Sequence, residues 1–417
     1  MNGRNRPKAA VQTGSMRVSM VPLRSHATYL PRGAHTCLMP TTPPSKNTKC
    51  PCGSGKKYRK CHGKQKRVLA KVAQHFRSEE QKRQAYQQKH GYARPPMSAI
   101  MGDKRIVVIG GAIYKQTQEG PYGFMNVCHD AGLEVFGIPY LEEQEERPLQ
   151  ERHPALQWMY TYVDHYQRLA QQGNVDPRAQ QIGAGGAWFR FGYDLFTIRD
   201  NAKLHVRLKK RLLDVQDFQG ARHELAVAAT CVAAGFELEF EDETDNLRKH
   251  TEFVGTDKLT GAKIAVEAKS RHRRGVKAFS GGHEIPPGHE VGIRGLVLDG
   301  FEKKSPLPSY IFVDVNLPPV PDEDTFQRWL QELEQTMLDL ATEGYADPCP
   351  VNAVFFTNDP SHYLLREQIG KPGDNLWFKH YEADAPRIPH PATDLVKRFL
   401  DAFTARIAPP EEFPEFR

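Results

Sequence analysis

The feature that most constrains the fold is a run of alternating segments between residues 221 and 274. His223 to Ala234 is rich in Ala, Leu and Val at helical spacing, and Gly235 follows it as a typical helix-ending residue. Residues 236–240 then alternate apolar and charged side chains, which predicts a half-buried strand. We therefore expect a helix that leads directly into a β-sheet.

A predicted hairpin follows this strand and brings two acids together. A turn near Thr260 separates strand candidates at 251–255 and 263–269. This turn sets Glu252 roughly opposite Glu267, on one face of the hairpin. A register slip of one residue would put the two acids on opposite faces.

Two carboxylates on one face suit a hard cation such as Mg²⁺, which prefers oxygen ligands. Glu252 and Glu267 are the candidate magnesium ligands. Lys269 is the candidate that orients a water or offsets charge on a phosphate, and Glu224 is a supporting acid from the preceding helix. An isolated Glu-x-Lys also has a simpler interpretation, a solvated strand face with a neighbouring ion pair.

The order of helix, strand, strand with an acid and strand with Glu-x-Lys restricts the interpretation further. Over about residues 218–274 the chain resembles the PD-(D/E)xK nuclease-like superfamily, in its restriction-endonuclease-like branch, at Glu224, Glu252 and Val266-Glu267-Ala268-Lys269. The resemblance implies a mixed sheet flanked by helices and metal-dependent hydrolysis of nucleic acid. Glu252 stands where the family more often has Asp, and the usual preceding Pro is missing.

Three basic residues follow the Glu-x-Lys strand directly. Arg271, Arg273 and Arg274 are candidate phosphate-binding residues for a nucleic acid. The alternative is a solvated end of the strand, where exposed charges are common.

A second motif lies near the N-terminus, with the spacing C-x-C-x8-C-H. Cys50, Cys52, Cys61 and His62 supply the four S and N ligands that tetrahedral Zn²⁺ prefers. A disulfide between Cys50 and Cys52 would strain the short loop between them. Because protein fills all four positions, the predicted zinc site is structural.

The zinc pattern resembles the SEC-C motif over about Lys49 to Gly63. In that family the motif contacts proteins or the ribosome, so the resemblance implies a docking role. The rival to the nuclease hypothesis follows from this role. It is a non-catalytic adaptor with an inactive nuclease-like body, and Glu252 in place of Asp favours it.

Charge is distributed unevenly along the chain. The first 78 residues contain 17 of the 57 Lys and Arg residues and none of the 50 acids, so a formal +17 arm precedes a body of −10. A basic arm predicts a polyanionic partner, nucleic acid or the ribosome. The alternative is a solvated, disordered tail.

The cysteine count and hydropathy predict the compartment. Seven cysteines without a secretory signal favour a reducing environment, and we expect a cytoplasmic protein. No apolar run approaches the ~18 residues that a membrane span needs, so no membrane association is expected.

The predicted fold class is α/β, with a zinc knuckle, a middle α/β region and a nuclease-like domain. The middle region contains a predicted buried strand at 105–109, a core helix at 154–170 and a flexible turn at 182–186. Further strands at 309–315 and 351–356, with a helix between them, should extend the sheet by a crossover. The predicted parts are a disordered basic arm (1–45), the zinc knuckle (46–64), a basic helix or linker (65–96), the middle region (97–201), the nuclease-like domain (202–407) and a loose tail (408–417).

Overall fold

The structure is a computed structural model of the chain. It describes residues 45–95, 97–101, 104–109, 112–116, 123–173, 182–202, 204–240, 251–273, 290–303, 305–367, 376–392, 394–407 and 409–410. The predictions for the basic arm, for Arg274 and for most of the C-terminal tail lie outside these residues. The described residues form two compact units, one of residues 45–82 and 97–116 and the other of residues 83–95 and 123–410.

The first unit contains the zinc knuckle, the first part of a long helix and a small sheet. Helix α1 (His62–His90) begins within the knuckle. Strands β1 (Met97–Met101), β2 (Lys104–Ile109) and β3 (Ala112–Gln116) form an antiparallel sheet in the order β1-β2-β3. The strand predicted at 105–109 is therefore confirmed as the central strand of this sheet.

The second unit combines a layer of helices with a six-stranded mixed sheet. Its helices are α2 (Phe124–Phe136), α3 (Ile138–Glu145), α4 (Pro154–Gln171), α5 (Gly183–Asn201), α6 (Val206–Leu213), α7 (Phe218–Ala233), α8 (Arg294–Phe301), α9 (Glu323–Leu340) and α10 (Leu395–Ala405). Its strands are β4 (Phe236–Phe240), β5 (Phe253–Asp257), β6 (Lys263–Ser270), β7 (Ser309–Asp314), β8 (Ala353–Asn358) and β9 (Trp377–Glu382). None of the described helices combines the length and apolar character that crossing a lipid bilayer requires.

The sheet has the order β4-β5-β6-β7-β8-β9. β4, β5 and β6 form an antiparallel meander, whereas β6, β7 and β8 run parallel and β9 is antiparallel to β8. The crossover predicted between the strands near 309 and 351 is confirmed, because α9 connects β7 to the parallel strand β8. The fold is thus the predicted mixed α/β architecture at the level of sheet and helices.

Alternation along β7 and β8 gives the sheet two distinct faces. On one face, Ile311 and Val313 pack in a cluster with Val297 of α8 and Trp329 of α9. On the other face, Phe312 stacks on Phe355 of β8 at 4.6 Å between ring centroids, and α10 covers both rings. The sheet is therefore buried from both sides, as parallel strands require.

The turn predicted at 182–186 is wrong, because these residues begin the buried helix α5. A Cβ at Gly183 would overlap the carbonyl oxygens of Ser361 and Leu364. A Cβ at Gly192 in the same helix would overlap the Cys128 carbonyl of α2. The glycines in this helix therefore permit close packing, a role that a sequence pattern does not distinguish from turn formation.

Candidate functional site

The zinc knuckle is built by short-range hydrogen bonds. Lys49 and Lys57 form an antiparallel bridge, and the Cys50 N–H donates to the Lys56 carbonyl at 2.8 Å. Gly53 and Gly55 have φ values of 76° and 69°, in the left-handed region that favours glycine. The loop between the second and third cysteines therefore turns back on itself.

The four predicted zinc ligands converge in the structure. Their ligand atoms all lie within 4.8 Å of one another. Cys50 Sγ is 3.1 Å from His62 Nδ1, and Cys61 Sγ is 3.6 Å from both Cys52 Sγ and His62 Nδ1. A Zn–S distance of ~2.3 Å implies tetrahedral edges of about 3.8 Å, so the donor set fits a structural zinc ion.

The close approach of the four ligands shifts their pKa values in different directions. Hydrogen bonds between Cys52 and the hydroxyl and N–H groups of Ser54 lower the pKa of Cys52 to about 6. The hydrogen bond to Cys50 raises the pKa of His62. Thiolates are the zinc-binding form of cysteine, so the lowered pKa of Cys52 favours metal binding. The hydrogen bond with Ser54 acts to lower the pKa of Cys61, but the neighbouring Cys52 and Cys50 and burial outweigh it and raise this pKa.

The SEC-C motif model matches residues 47–64. The match spans the knuckle alone and agrees with the resemblance inferred from its spacing. No curated protein and no solved structure matches the chain. The similarity to a known family therefore covers residues 47–64.

A second candidate site lies on the β5–β6 hairpin. Phe253 pairs with Val266, so continuing the register by one residue sets Glu252 opposite Glu267. The Glu252 N–H donates to the Val266 carbonyl at 3.1 Å, which holds the end of the hairpin together. Directly opposed residues carry their side chains on one face, so the expected juxtaposition of the two acids is present.

Glu267 is buried, with only 2% of its surface exposed. Its Oε1 lies 2.9 Å from Lys269 Nζ and 3.6 Å from Nζ of Lys303, which follows α8. Burial raises the pKa of the Glu267 carboxyl, and the attraction of the two ammonium groups opposes that shift. Its Oε2 is buried without a hydrogen-bond partner.

Lys269 lies among acidic groups. Burial acts to lower the pKa of Lys269, but Glu267, Glu252 and Asp299 of α8 outweigh burial and raise it. Lys269 is therefore held as an ammonium group on the same face as Glu267. We call Glu252, Glu267, Lys269 and Lys303 the Glu–Lys corner.

Glu224 is held by a different partner. Its Oε2 accepts a hydrogen bond of 2.5 Å from Arg211 Nη1 of α6, and its side chain is 7% exposed. Among the described residues, the SEC-C ligands are the only group of three or more Cys, His, Asp or Glu side chains close enough to share a metal ion. Glu224, Glu252 and Glu267 therefore do not form such a group in this structure.

The predicted phosphate-binding arginines differ in their surroundings. Arg271 follows β6 by one residue and is half-buried. Arg273 is 6% exposed and donates to the carbonyls of Asn316, Val315 and Glu290 at 2.8–3.2 Å, so here it ties the loop to the end of the sheet. Arg274 lies outside the described residues.

Two basic residues of the site were not predicted. Lys303 belongs to the connection between α8 and β7, and Arg211 belongs to a basic amphipathic helix. The position of Lys303 could have been inferred from the connection between β6 and β7. A helix that links two parallel strands must return across one face of the sheet. Its C-terminal end could therefore have been expected near β6.

Proposed function

We propose that this protein hydrolyses phosphodiester bonds of nucleic acid at the Glu–Lys corner with Mg²⁺, and that the SEC-C motif docks it on a protein or ribosome. One observation carries the proposal. The register of β5 and β6 sets Glu252 across from Glu267, with Lys269 two residues further along the same face. The order of α7, β4, β5 and β6 supports the resemblance to the PD-(D/E)xK nuclease-like superfamily.

The donor set fits a hard cation. Glu252 and Glu267 would hold Mg²⁺ through carboxylate oxygens, the ligands that this ion prefers. The buried Glu267 Oε2 supports this assignment, because an unsatisfied buried carboxylate oxygen is costly and a cation would satisfy it. Mg²⁺ held by these two residues would polarise a phosphodiester oxygen and would lower the pKa of a coordinated water.

The lysines and Glu224 have supporting roles. Lys269 orients the nucleophilic water or offsets charge that develops on the phosphate, and Lys303 adds a second ammonium group beside Glu267. Glu224 acts as a positioning residue through its ion pair with Arg211. Both ammonium groups would have to turn from Glu267 towards the phosphate when a cation takes their place.

Nucleic acid binding rests on positive charge. Arg271 follows the corner directly along the chain, and the first 78 residues add a formal charge of +17. Contacts of this kind release counterions, so binding should weaken by roughly 10³-fold or more between about 50 and 200 mM salt. Fluorescence anisotropy of labelled DNA and RNA at several salt concentrations measures this effect.

The second candidate is the non-catalytic adaptor, and the ion pairs of the site favour it. Lys269 and Lys303 already compensate the Glu267 charge, and Arg211 compensates Glu224. A site whose acids are paired within the protein does not need a metal ion to offset their charge. In that case the SEC-C motif carries the function by docking.

The test uses the full chain, Mg²⁺ and labelled single- and double-stranded DNA and RNA. We expect product from wild type, a loss of about 100-fold or more in Lys269→Ala and Glu252→Gln, and wild-type rates in Lys397→Ala. Lys397 is a matched control because its side chain on α10 is 74% exposed. Equal background product from wild type and both variants would establish the adaptor.

A further inference from the structure

A cavity lined by charged and mostly buried side chains lies in the second unit, on the side of β7 away from the Glu–Lys corner. Its volume is about 80 Å³. It is lined by Asp314 at the end of β7, by Asp359 directly after β8, and by Ala226 of α7. Ligands of open α/β sheets commonly bind outside the carboxyl ends of parallel strands.

Three arginines from separate helical elements line this cavity. Arg190 belongs to α5, Arg222 belongs to α7, and Arg406 caps the end of α10. They are 7%, 8% and 6% exposed, respectively. Burying one unpaired guanidinium is costly, so three around one space require compensation from the cavity wall or from a ligand.

The acidic side chains of the wall are engaged by the protein itself. Asp194 pairs with Arg222 at 2.8 Å and also with Arg406. Asp359 accepts from the Ser361 N–H at 3.2 Å and pairs with Arg190 at 3.1 Å.

The third acid of the wall is engaged as well. Asp314 accepts from the Ser270 hydroxyl at 3.0 Å and from the Asn316 N–H at 3.1 Å. Each oxygen of the three carboxylates is therefore met by a donor or a cation of the protein.

The donors are not all used. Nε of Arg190 and Nε of Arg406 are buried without a hydrogen-bond partner. Burial lowers the pKa of both guanidinium groups, and that of Arg406 falls to about 10. Burial acts to raise the pKa of Asp359, yet Arg190 and Arg222 outweigh it and lower the pKa to about 2. Three carboxylates balance the three guanidinium groups, but the carboxylate oxygens are all engaged and two guanidinium nitrogens are not, so the free hydrogen-bonding capacity of these six side chains is for an acceptor.

We propose that this cavity binds one tetrahedral oxyanion of the phosphate class. The anion accepts from the Nε–H groups of Arg190 and Arg406, which have no hydrogen-bond partner in the protein. The space is several times the ~10–15 Å³ that a buried water needs, so free phosphate or sulfate fits. This site is independent of the proposed hydrolysis at the Glu–Lys corner.

The first test is isothermal titration calorimetry of the full chain with sodium phosphate, at ionic strength held constant with sodium chloride. Wild type should give saturable binding of one phosphate per chain, and sulfate should compete for the same site. Acetate, a planar anion with two oxygens, should bind at least about tenfold more weakly, a difference of about 1.4 kcal/mol. No saturable heat with wild type, or equal binding of acetate, overturns the proposal.

Variants locate the site. Ala226→Leu fills the cavity without removing a charge, and Arg190→Gln removes a donor. Each variant should lower the affinity for phosphate by at least about tenfold. Arg168→Gln is the matched control, because its side chain is 52% exposed and outside the cavity. Circular dichroism checks that each variant folds. If Arg190→Gln does not fold, the phosphate affinity of Ala226→Leu decides the test. Wild-type affinity in Ala226→Leu overturns the proposal.

Discussion

The SEC-C motif and the Glu–Lys corner each gather charged side chains, but they do so over different distances along the chain. The four zinc ligands lie within thirteen residues, from Cys50 to His62. The corner draws on the β5–β6 hairpin for Glu252, Glu267 and Lys269, and on the end of a crossover helix for Lys303. The first site is local, whereas the second exists only when the sheet and its helices are assembled.

The two sites also differ in how their negative charge is compensated. In the SEC-C motif the sulfur and nitrogen atoms crowd one another at 3.1–3.6 Å, an arrangement that favours an external cation. In the corner, two ammonium groups of the protein lie beside Glu267. The SEC-C motif thus has a donor set that fits a structural zinc ion. In the corner, by contrast, ammonium groups of the protein itself compensate the Glu267 carboxylate.

The largest expected effect concerns the zinc ligands. Cys61→Ala should reduce bound zinc from about one per chain to near zero, because structural zinc contributes roughly 10–16 kcal/mol to such motifs. Elemental analysis measures the zinc, and hydrogen exchange should show lost protection in residues 47–64 with that of β7 unchanged. Cys349→Ala, which removes a thiol outside the motif, is the control. Full zinc content in Cys61→Ala would show that Cys61 is not a zinc ligand.

The next effect concerns how Lys269 compensates the charge of Glu267 in the corner. Lys269→Met should lower the free energy of unfolding by about 3 kcal/mol, because it leaves the buried Glu267 carboxylate with only the more distant Lys303. The double variant Lys269→Met/Glu267→Gln should recover most of that loss. Urea denaturation followed by tryptophan fluorescence measures both, since all four tryptophans lie in the second unit.

The control for these two corner variants is Lys397→Met. Lys397 pairs with Asp401 on the surface, so losing this pair should change the free energy of unfolding by less than about 0.5 kcal/mol. If the single and double corner variants are equally stable, Lys269 does not compensate Glu267.

A third prediction concerns how the stability of the second unit depends on pH. His153 is fully buried between the rings of Phe136 and Phe218, and burial lowers its pKa to about 3. The unfolded state takes up this proton below about pH 6.5. Stability of the second unit should therefore fall as pH drops from about 6.5 towards 3, by about 2 kcal/mol at pH 5.

His153→Asn keeps an N-cap acceptor for α4 and removes the titrating ring, so the slope with pH should flatten. The measurement is urea denaturation at pH 7, 6 and 5, with and without a zinc chelator. The slope should be independent of chelation. An unchanged slope in His153→Asn would assign the acid response to other groups.

The smallest expected effect tests the backbone of the SEC-C motif. Gly53 has a φ of 76°, and a Cβ there would meet no atom within 4 Å, so only backbone strain opposes Gly53→Ala. A left-handed alanine costs roughly 1–2 kcal/mol, which predicts about a tenfold weaker zinc affinity. Gly53→Asn should lose less, because Asn tolerates this conformation. Chelator competition measures both, and equal affinity in all three proteins would contradict the role given to Gly53.

Much of the fold followed from periodicity. The strand at 236–240, the hairpin turn near Thr260, the strand from Lys263 and the crossover between β7 and β8 were all predicted. Residues in a strand alternate and a short turn fixes the register, so the opposition of Glu252 and Glu267 was also predictable.

The surroundings of those residues were not predictable from the same patterns. Glu267 belongs to a strand that suggests a solvated face, yet it is 2% exposed. Arg211 pairs with Glu224, and Lys303 lies beside Glu267. Each of these contacts joins elements whose relative placement depends on packing rather than on local periodicity.

The sequence by itself determined the SEC-C motif, because its ligands are neighbours and two glycines allow the chain to turn between them. It also determined the alternation and register that oppose the two acids of the hairpin. Only the tertiary structure decided that the three predicted acids do not share one site and that Glu267 is already paired. It also decided that three arginines from distant helices enclose one cavity. The physical reason is that charge compensation and burial depend on which elements pack together, and that choice depends on contacts across the whole fold.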